Sequence, residues 1–355
     1  MNRLKSLKYL VVLILPLLTW LSFNAYGLKT FLPFIYIFIC IPILEFFIKP
    51  DNSNFRKDEE RSVLDNVLYD IQVYLTVPIQ IFTLVYFLFS MQETGLAPLD
   101  KVGRILSMGL CCGVFGINVG HELGHRLKWY ERWMAKIHLM TSLNMHFMHE
   151  HNNHHHKAVS TPDDPATARY NEPLYFFWIR SITGVYTMAW KLERDRLKRQ
   201  NVPFLSFKNQ MITDSLIQIG VLVIIGVFFG IATVAYFAIA AFIGHLLLET
   251  INYIEHYGLM RELIGDRYER VKPEHSWNSD HLIGRIHLFE LSRHSDHHYR
   301  PGRKYQILRH MDESPQMPTG YPGMMILATI PPLWFAVMNK RVHQIKVSKQ
   351  FQAAS

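Results

Sequence analysis

The chain has little charge and little cysteine for its length. Only 19% of its 355 residues are charged, compared with about 25% in soluble domains. Its three cysteines (Cys40, Cys111 and Cys112) lie in apolar stretches and form no CxxC pair, so neither a disulfide scaffold nor a cysteine-based zinc site is expected. The sequence also has no low-complexity tract, internal repeat or nucleic-acid-binding motif. These absences favour a protein that lies partly in lipid.

Six apolar segments have about the length needed to cross a bilayer, which is about 20 residues. They cover residues 9–26, 31–48, 71–91, 105–119, 216–229 and 231–253. The fifth is short, and we expect it to form a helical hairpin with the sixth around Gly230. We therefore predict an all-α integral membrane protein with six transmembrane helices, folded as one domain over residues 1–355.

Lysine and arginine concentrate in the loops on one side of these segments. They precede the first segment, follow the second, and are frequent after the fourth and the sixth. The positive-inside rule then places both termini and the polar segments 120–212 and 254–355 in the cytoplasm. This bias also accounts for the formal net charge of +8. We expect a multi-pass protein of the inner (cytoplasmic) membrane, with a cytoplasmic helical cap that holds the active site.

Nineteen histidines are present, and nine of them form four clusters beside the apolar segments. The nine are His121, His125, His151, His155, His156, His256, His294, His297 and His298. Imidazole is the commonest protein ligand for transition metals, and nine imidazoles suit two ions better than one. Because the topology places every cluster on one side of the membrane, we predict that they converge there on two metal ions.

The spacing within the clusters is helical. Four residues separate the two histidines of the first cluster, and four separate His151 from His155, which places each pair on one helical face. His156 is rotated by about 100° from His155 and is expected to face a different ion. The three histidines of the last cluster stand at i, i+3 and i+4 and are expected to share one face. We predict helices for all three clusters.

Each cluster also contains an acidic residue. Metal-bound histidine usually donates its second N–H to a carboxylate or carbonyl, so we expect the acids to support the ligands, with direct metal binding by one or two as an alternative. The predicted supporting residues are Glu122, Glu150, Glu255, Asp296, His281 and His310.

The other histidines are interpreted as structural or surface residues. They are His138, His146, His149, His275, His287 and His343. His245 lies within the sixth segment, where it either hydrogen-bonds inside the bundle or lines a cavity.

Ligand type leaves several metals and functions open. All-imidazole sites suit zinc, copper, iron or nickel, and two ions with open positions favour redox iron over structural zinc. The segment His121-Glu122-Leu-Gly-His125 is also an HExxH sequence, as in zinc metalloproteases that use the glutamate as general base. That reading leaves six or more clustered histidines unexplained. Metal transport or storage would place the histidines within the bilayer path, where these nine do not lie.

Three clusters resemble the histidine boxes of the membrane fatty acid desaturase/hydroxylase superfamily. They begin at His121, Glu150 and Arg293 and read HELGH, EHNNHHHK and RHSDHH. A fourth stretch, NYIEHYGL from Asn252, resembles the extra box of integral-membrane alkane 1-monooxygenases. The resemblance covers about residues 104–323. It departs from the usual pattern at His154, where glycine is common.

The resemblance implies a non-haem di-iron site held by the nine histidines, with no catalytic side chain beyond these ligands. It implies two iron ions as cofactor, O₂ as co-substrate and terminal hydroxylation of alkanes to primary alcohols. Electrons would come from rubredoxin and rubredoxin reductase. A xylene-type side-chain hydroxylase or a fatty-acid ω-hydroxylase with the same metal centre is the alternative.

Two further sets of residues have a predicted role. Basic residues near the boxes are expected to attract acidic rubredoxin, unless they are only topology charges. These are Arg126, Lys157, Arg300, Arg303, Lys304 and Arg309. Aromatic residues of the apolar segments are expected either to line an alkane channel or simply to pack. These are Trp20, Phe23, Tyr74, Tyr86 and Phe115.

Overall fold

Six helices are long and apolar enough to cross a membrane, as predicted. The structure is a computed structural model that describes residues 5–354, with side chains up to residue 347. Within that part of the chain the six helices, called spans 1 to 6, are Ser6–Phe23, Gly27–Phe47, Leu68–Ser90, Pro98–Gly124, Gln210–Phe229 and Ile231–His256. The protein is therefore a helical, multi-pass membrane protein.

Span 4 begins seven residues earlier than the predicted segment, at Pro98 rather than 105. The segment predicted from the sequence begins immediately after the charged Arg104. That side chain is fully buried and donates hydrogen bonds to the backbone oxygens of Ser90 and Ala25. It also forms an ion pair with Glu93 at 2.9 Å. Because two of the three guanidinium nitrogens have partners and Glu93 balances the charge, the helix continues through Arg104.

Spans 5 and 6 form the predicted hairpin. Gly230 joins them with a φ of 82°, a left-handed conformation that glycine adopts at little cost. This turn connects the two helices without a longer loop, and they run side by side from it.

Small residues bring spans 4 and 6 into close contact. A Cβ atom added at Gly109 would lie 2.6 Å from Ile243, and one added at Gly244 would lie 2.6 Å from the Cβ of Cys112. Small residues at such positions let membrane helices approach closely. Span 6 ends at His256, and span 4 ends one turn after His121. Their packing therefore places these two predicted ligands at the same end of the bundle.

Shorter elements fill the two long polar segments. Between spans 2 and 3 lies the helix Lys57–Leu64. Between spans 4 and 5 lie Trp129–Met140, Phe147–Glu150, the π-helical turn His151–His155, His156–Ala158 and the long helix Leu174–Arg199. After span 6 lie Pro273–His275, Leu282–His287, His294–Tyr299, Tyr305–Ile307, Tyr321–Ala328 and Pro331–Ala354. A two-stranded antiparallel hairpin pairs Leu263–Ile264 with Arg267–Tyr268.

The last two helices differ from the expectation of a wholly polar tail. Tyr321–Ala328 and Pro331–Val347 together are apolar enough to enter a membrane, and they are bent by 120° relative to each other. Pro331, at the start of the second helix, favours such a break because proline cannot continue the hydrogen bonding of a preceding helix.

Candidate metal centre

All nine histidines of the four clusters meet at one end of the bundle, in two groups. The first histidine group contains His121, His125, His151, His156 and His297, and the second contains His155, His256, His294 and His298. Within each group, one ligand atom of every residue lies within 4.8 Å of the others. The structure thus brings together the residues that the sequence predicts as ligands, and their binding of metal stays a prediction.

The ring nitrogens within each group face one another. In the first group, Nε2 of His156 lies 3.0 Å from Nε2 of His151 and 3.1 Å from Nε2 of His125. In the second group, Nε2 of His294 lies 3.2 Å from Nε2 of His256. Two nitrogens bound at right angles to an ion with bonds of about 2.1 Å would be about 3 Å apart. The spacing therefore fits a transition metal ion in each group.

Several of these nitrogens also have no partner within the described residues. They are Nε2 of His155, His297 and His298, all buried. Buried polar atoms without a hydrogen bond are rare in folded proteins and call for an ordered water, an ion or a functional role. A metal ion in each group would satisfy them, so the donor set fits the implied ions.

The second cluster divides between the two groups differently from the prediction. His151 was expected to share a face with His155, four residues on. Residues His151–His155 form a π-helical turn, whose i→i+5 hydrogen bonding widens the turn. His151 therefore shares its group with His156, five residues on, and His155 faces the other group. His155 and His156 thus lie in different groups, and their binding of different ions stays a prediction.

The last cluster does not keep its histidines on one face. His294 and His298, four residues apart, belong to the second group, whereas His297 belongs to the first. The helix His294–Tyr299 is only six residues long and lies between the two groups. It therefore contributes histidines to both groups, which the i, i+3, i+4 rule alone does not anticipate.

Burial favours the neutral form of several of these imidazoles. Burial lowers the pKa of His125 to about 3. Burial and the neighbouring histidines hold the pKa of His151 and of His298 well below the usual range. A neutral imidazole offers a lone pair to a metal, so these rings are ready to bind one at neutral pH.

Asp164 supports a ligand histidine that sequence reasoning left without a partner. Nδ1 of His155 donates to Oδ2 of Asp164 at 2.9 Å, which leaves Nε2 as the nitrogen with the lone pair. Thr167 donates to the same oxygen at 2.6 Å. His155 and these hydrogen bonds lower the pKa of this buried carboxyl, so Asp164 accepts as a carboxylate. The available signal was the sequence Thr161-Pro-Asp-Asp-Pro165, whose turn returns to the second cluster.

Among the described residues, Glu255 is the one predicted supporting residue that contacts any of the nine histidines. Oε2 of Glu255 lies 3.1 Å from Nε2 of His294, and its other oxygen accepts a hydrogen bond from Tyr321 at 2.6 Å. Because Nε2 of His294 also faces His256, this carboxylate stands at the metal side of the second group. The alternative of direct binding by an acid therefore applies best to Glu255.

The prediction for the other three acids does not match their contacts. Glu122 accepts two hydrogen bonds from Arg126, and Asp296 accepts one from Arg303. Glu150 is buried with an unpartnered Oε1, and burial and Asp164 raise the pKa of its carboxyl. Each stands one or two residues from a ligand, and neighbouring residues on a helix point about 100° apart per position. Glu122, Glu150 and Asp296 therefore do not contact the histidines next to them in sequence, unlike Glu255, which stands beside the second group.

His281 and His310 also support structure rather than ligands. His281 contacts the Ser279 hydroxyl at 3.1 Å, and His310 contacts Asp280 at 2.7 Å. Asp280 in turn pairs with Arg293, which holds the loop before the last cluster.

The histidines interpreted as structural stay outside both groups. His138 contacts Thr76, His149 contacts Asp214 and His275 contacts Glu269. His245 lies 3.4 Å from Glu249 within span 6, so it bonds inside the bundle. His287 is different, because it contacts Tyr36 and also lines the cavity described next.

A narrow cavity of about 70 Å³ runs from the histidines into the membrane part of the bundle. Apolar residues of spans 1, 2, 4 and 6 form much of its wall. They include Leu15, Ile37, Leu110, Val114, Leu247 and Ile251. At its other end it reaches His121 and His151 of the first group, and His294 and Glu255 at the second. An apolar molecule in the cavity would meet both candidate metal sites.

The aromatic residues proposed as channel lining are not among the residues lining this cavity. Trp20 packs edge-on against Phe82, and Phe23 packs against Tyr86 and Phe87. Most of the apolar wall is aliphatic, with Phe38, Phe147 and Tyr321 as its aromatic members. The five proposed aromatic residues do not line it, in line with the alternative interpretation that they pack.

Most of the basic residues proposed for partner docking are engaged within the protein. Arg126 is buried and pairs with Asp70 and Glu122. Lys304 pairs with Asp70 as well. Two more pairs are Arg303 with Asp296 and Arg309 with Glu60. Lys157 and Arg300 are exposed, so of the six residues these two present charge to a partner.

The fold and the site define the class of the protein. Two buried groups of histidines at the end of membrane helices, opening on an apolar cavity, are typical of histidine-rich membrane oxidoreductases. The profile of the fatty acid desaturase family matches residues 102–328, about two thirds of the chain.

Full-length relatives narrow the class. The chain is 39% identical to an alkane 1-monooxygenase of Pseudomonas putida over 303 residues, which is 85% of this chain and 75% of that one. It is 38% identical to alkane 1-monooxygenase 2 of Pseudomonas aeruginosa over 99% of this chain and 96% of that one. The hydroxylase component of a Pseudomonas putida xylene/toluene monooxygenase is 32% identical over 76% of this chain and 73% of its own.

The chain therefore belongs to the fatty acid desaturase family, within its alkane 1-monooxygenase branch, and is an oxidoreductase of the monooxygenase type. The metalloprotease reading of HExxH loses its support, because Glu122 is bound to Arg126 and four of the clustered histidines form a second site.

Proposed function

We propose that this protein hydroxylates the terminal carbon of alkanes with O₂, giving primary alcohols, at a non-haem di-iron centre. The observation that carries the proposal is the apolar cavity, which ends at both histidine groups. An alkane has no polar handle, so only a narrow apolar cavity can present one end of it to the metals.

The proposed ligands are the nine histidines, five for one ion and four for the other, with Glu255 beside the second. Two iron ions bound there would supply the reduction of O₂ and the cleavage of a strong C–H bond. The first histidine group consists of neutral donors, so it leaves the charge of a ferrous ion uncompensated. Glu255, at the second group, brings one negative charge.

The chain's own residues bind and orient the substrate. Leu110, Val114 and Leu247 hold the alkane by burying its apolar surface, which stabilises binding by about 25 cal/mol per Å². Their walls also keep bulk water from the reacting carbon. Asp164 fixes the orientation of His155 through the hydrogen bond to its Nδ1.

The composition of the cavity wall favours an alkane over a fatty acid as the substrate. The residues that line it in the described part of the chain include no lysine or arginine to pair with a carboxylate. A xylene-type substrate stays the second candidate because of the xylene/toluene monooxygenase relative. Its ring is wider than an alkyl chain, so a narrow cavity favours the chain.

Electrons are proposed to come from rubredoxin and its reductase. Lys157, next to His156 in sequence, and Arg300, two residues after His298, are exposed and close to ligands of both groups. They would attract an acidic electron carrier to the shortest route to the metals. The same side of the bundle carries the Lys/Arg-rich loops, and we propose that it faces the cytoplasm, with the spans in the inner membrane.

Purified protein in detergent, supplied with O₂, reduced rubredoxin and separately octane, hexadecane, xylene or a free fatty acid, tests the proposal. We expect 1-octanol from octane and stoichiometric consumption of reduced rubredoxin. If only xylene or only the fatty acid were oxidised, that compound would replace the alkane as the proposed substrate. No oxygenated product from any of the four would refute it.

A further inference from the structure

A third set of potential metal ligands lies beside the second histidine group. Glu150, His154 and Asp164 each place one ligand atom within 4.8 Å of the other two. None of the three belongs to the histidine groups. Two are carboxylates and one is an imidazole, a mixed set that suits a divalent first-row cation.

The two carboxylates are buried close to each other. Glu150 and Asp164 are each 1% exposed. Oε1 of Glu150 has no hydrogen-bond partner among the described residues. A buried carboxylate oxygen left without a partner is costly, and a cation between the two side chains would remove that cost.

His154 connects this pair of acids to the surface. It is half-buried, and its Nε2 lies 3.1 Å from the backbone oxygen of Asp163. A carbonyl oxygen only accepts, so Nε2 is the donor and Nδ1 retains its lone pair. His154 is also the one member of the cluster that solvent reaches, because Glu150 and Asp164 are buried.

We propose that Glu150, His154 and Asp164 form an additional, inhibitory site for a divalent transition cation such as Zn²⁺. Three protein ligands leave an open coordination position. Asp164 also accepts the hydrogen bond from His155, so a cation on this carboxylate would withdraw electron density from it and weaken its hold on that ligand. The inhibitory part of the proposal rests on the proposed hydroxylase function, whereas the binding part does not.

Zinc binding to the iron-loaded protein tests the site. The purified enzyme is incubated with ZnCl₂, passed through a desalting column and analysed for zinc and iron. The test variant is His154→Ala, with His154→Gly as a second variant that restores the common residue. His343→Ala is the matched control, because His343 is an exposed histidine that is not in the acidic cluster.

We expect one zinc per chain in the wild type and in His343→Ala, and none above background in either His154 variant, with equal iron content in all four. Zinc should inhibit octane hydroxylation by the wild type and leave the His154 variants uninhibited. Equal zinc content in the wild type and His154→Ala, or zinc that only replaces iron, would overturn the proposal. An enzyme that binds zinc at His154 but makes no alcohol would refute the proposed function and leave the site standing.

Discussion

Asp164→Asn should selectively weaken the second metal site. Asp164 accepts hydrogen bonds from His155 Nδ1, from the Thr167 hydroxyl and from the backbone N–H of Ala166. All three are donors, and they approach both carboxylate oxygens. An asparagine in the same place must turn its NH₂ group toward at least one donor. His155 would then lose its charged acceptor or be pushed from its orientation.

The size of the effect follows from that hydrogen bond. A hydrogen bond to a charged group contributes about 1.5–3 kcal/mol, and about 1.4 kcal/mol corresponds to a factor of ten in affinity. The expected loss is therefore about 10–100-fold in affinity for the ion of the second group, the range usual for residues that support metal ligands. The first group has no hydrogen bond to Asp164, so its ion should be retained.

Iron retention against increasing concentrations of a chelator measures this loss. We expect Asp164→Asn to release one iron per chain at a chelator concentration about 10–100 times lower than the wild type requires, and to keep the other. Asp163→Asn is the control, because Asp163 is the exposed neighbour. Thermal melting of each variant checks that the fold is kept. Release of both irons together, or wild-type retention of both, would refute the reasoning.

The remaining predictions concern charge, substrate length, stability and the electron donor. Glu255→Gln should lower the affinity for the second iron by about tenfold or more, seen by the same chelator assay, because it removes the carboxylate beside His294. Leu110→Ala should shift the preferred alkane to a longer chain in a product-profile assay, because Leu110 is the lining residue of span 4 farthest from His121, about 16 Å along the helix. Arg126→Ala should destabilise the protein by about 3–5 kcal/mol in a denaturation assay, because it leaves the buried Glu122 carboxylate without its cation. Reversing the charge of Arg300 should raise the KM for rubredoxin and make it less dependent on salt.

Matched variants separate these effects from general damage. Tyr321→Phe removes the hydrogen bond to Glu255 and keeps its charge, so it should affect iron binding less than Glu255→Gln. Leu75→Ala removes the same atoms from an exposed position of span 3 and should leave the alkane profile unchanged. An unchanged profile in Leu110→Ala, or a KM for rubredoxin raised by Arg126→Ala without loss of stability, would contradict the assignments.

The sequence was sufficient to predict which histidines converge, but not how they are distributed between the two groups. The six spans and the nine clustered histidines follow from hydropathy and from helical spacing, both of which are local signals. The division depends on the π-helical turn His151–His155, which changes the pairing from i+4 to i+5. It also depends on where the short helix of His294 lies between the sites. Both are consequences of tertiary packing, which spacing does not encode.

The supporting residues were harder to predict for a geometric reason. Glu122 and Asp296 stand beside ligands in the chain, but the helix turns them away, toward Arg126 and Arg303. Asp164 is nine residues from His155 and reaches it through a turn. A search for acids that a turn brings back to a histidine cluster would have found Asp164. A search for acids next to the histidines in sequence finds Glu122 and Asp296, which form salt bridges with arginines.

The central claim is that two ions occupy two separate histidine groups. An experimental structure with anomalous diffraction recorded on both sides of the iron absorption edge tests it most directly. We predict two iron peaks per chain, one among His121, His125, His151, His156 and His297, and the other among His155, His256, His294 and His298. A single peak, or two peaks that show no iron edge, would contradict the claim.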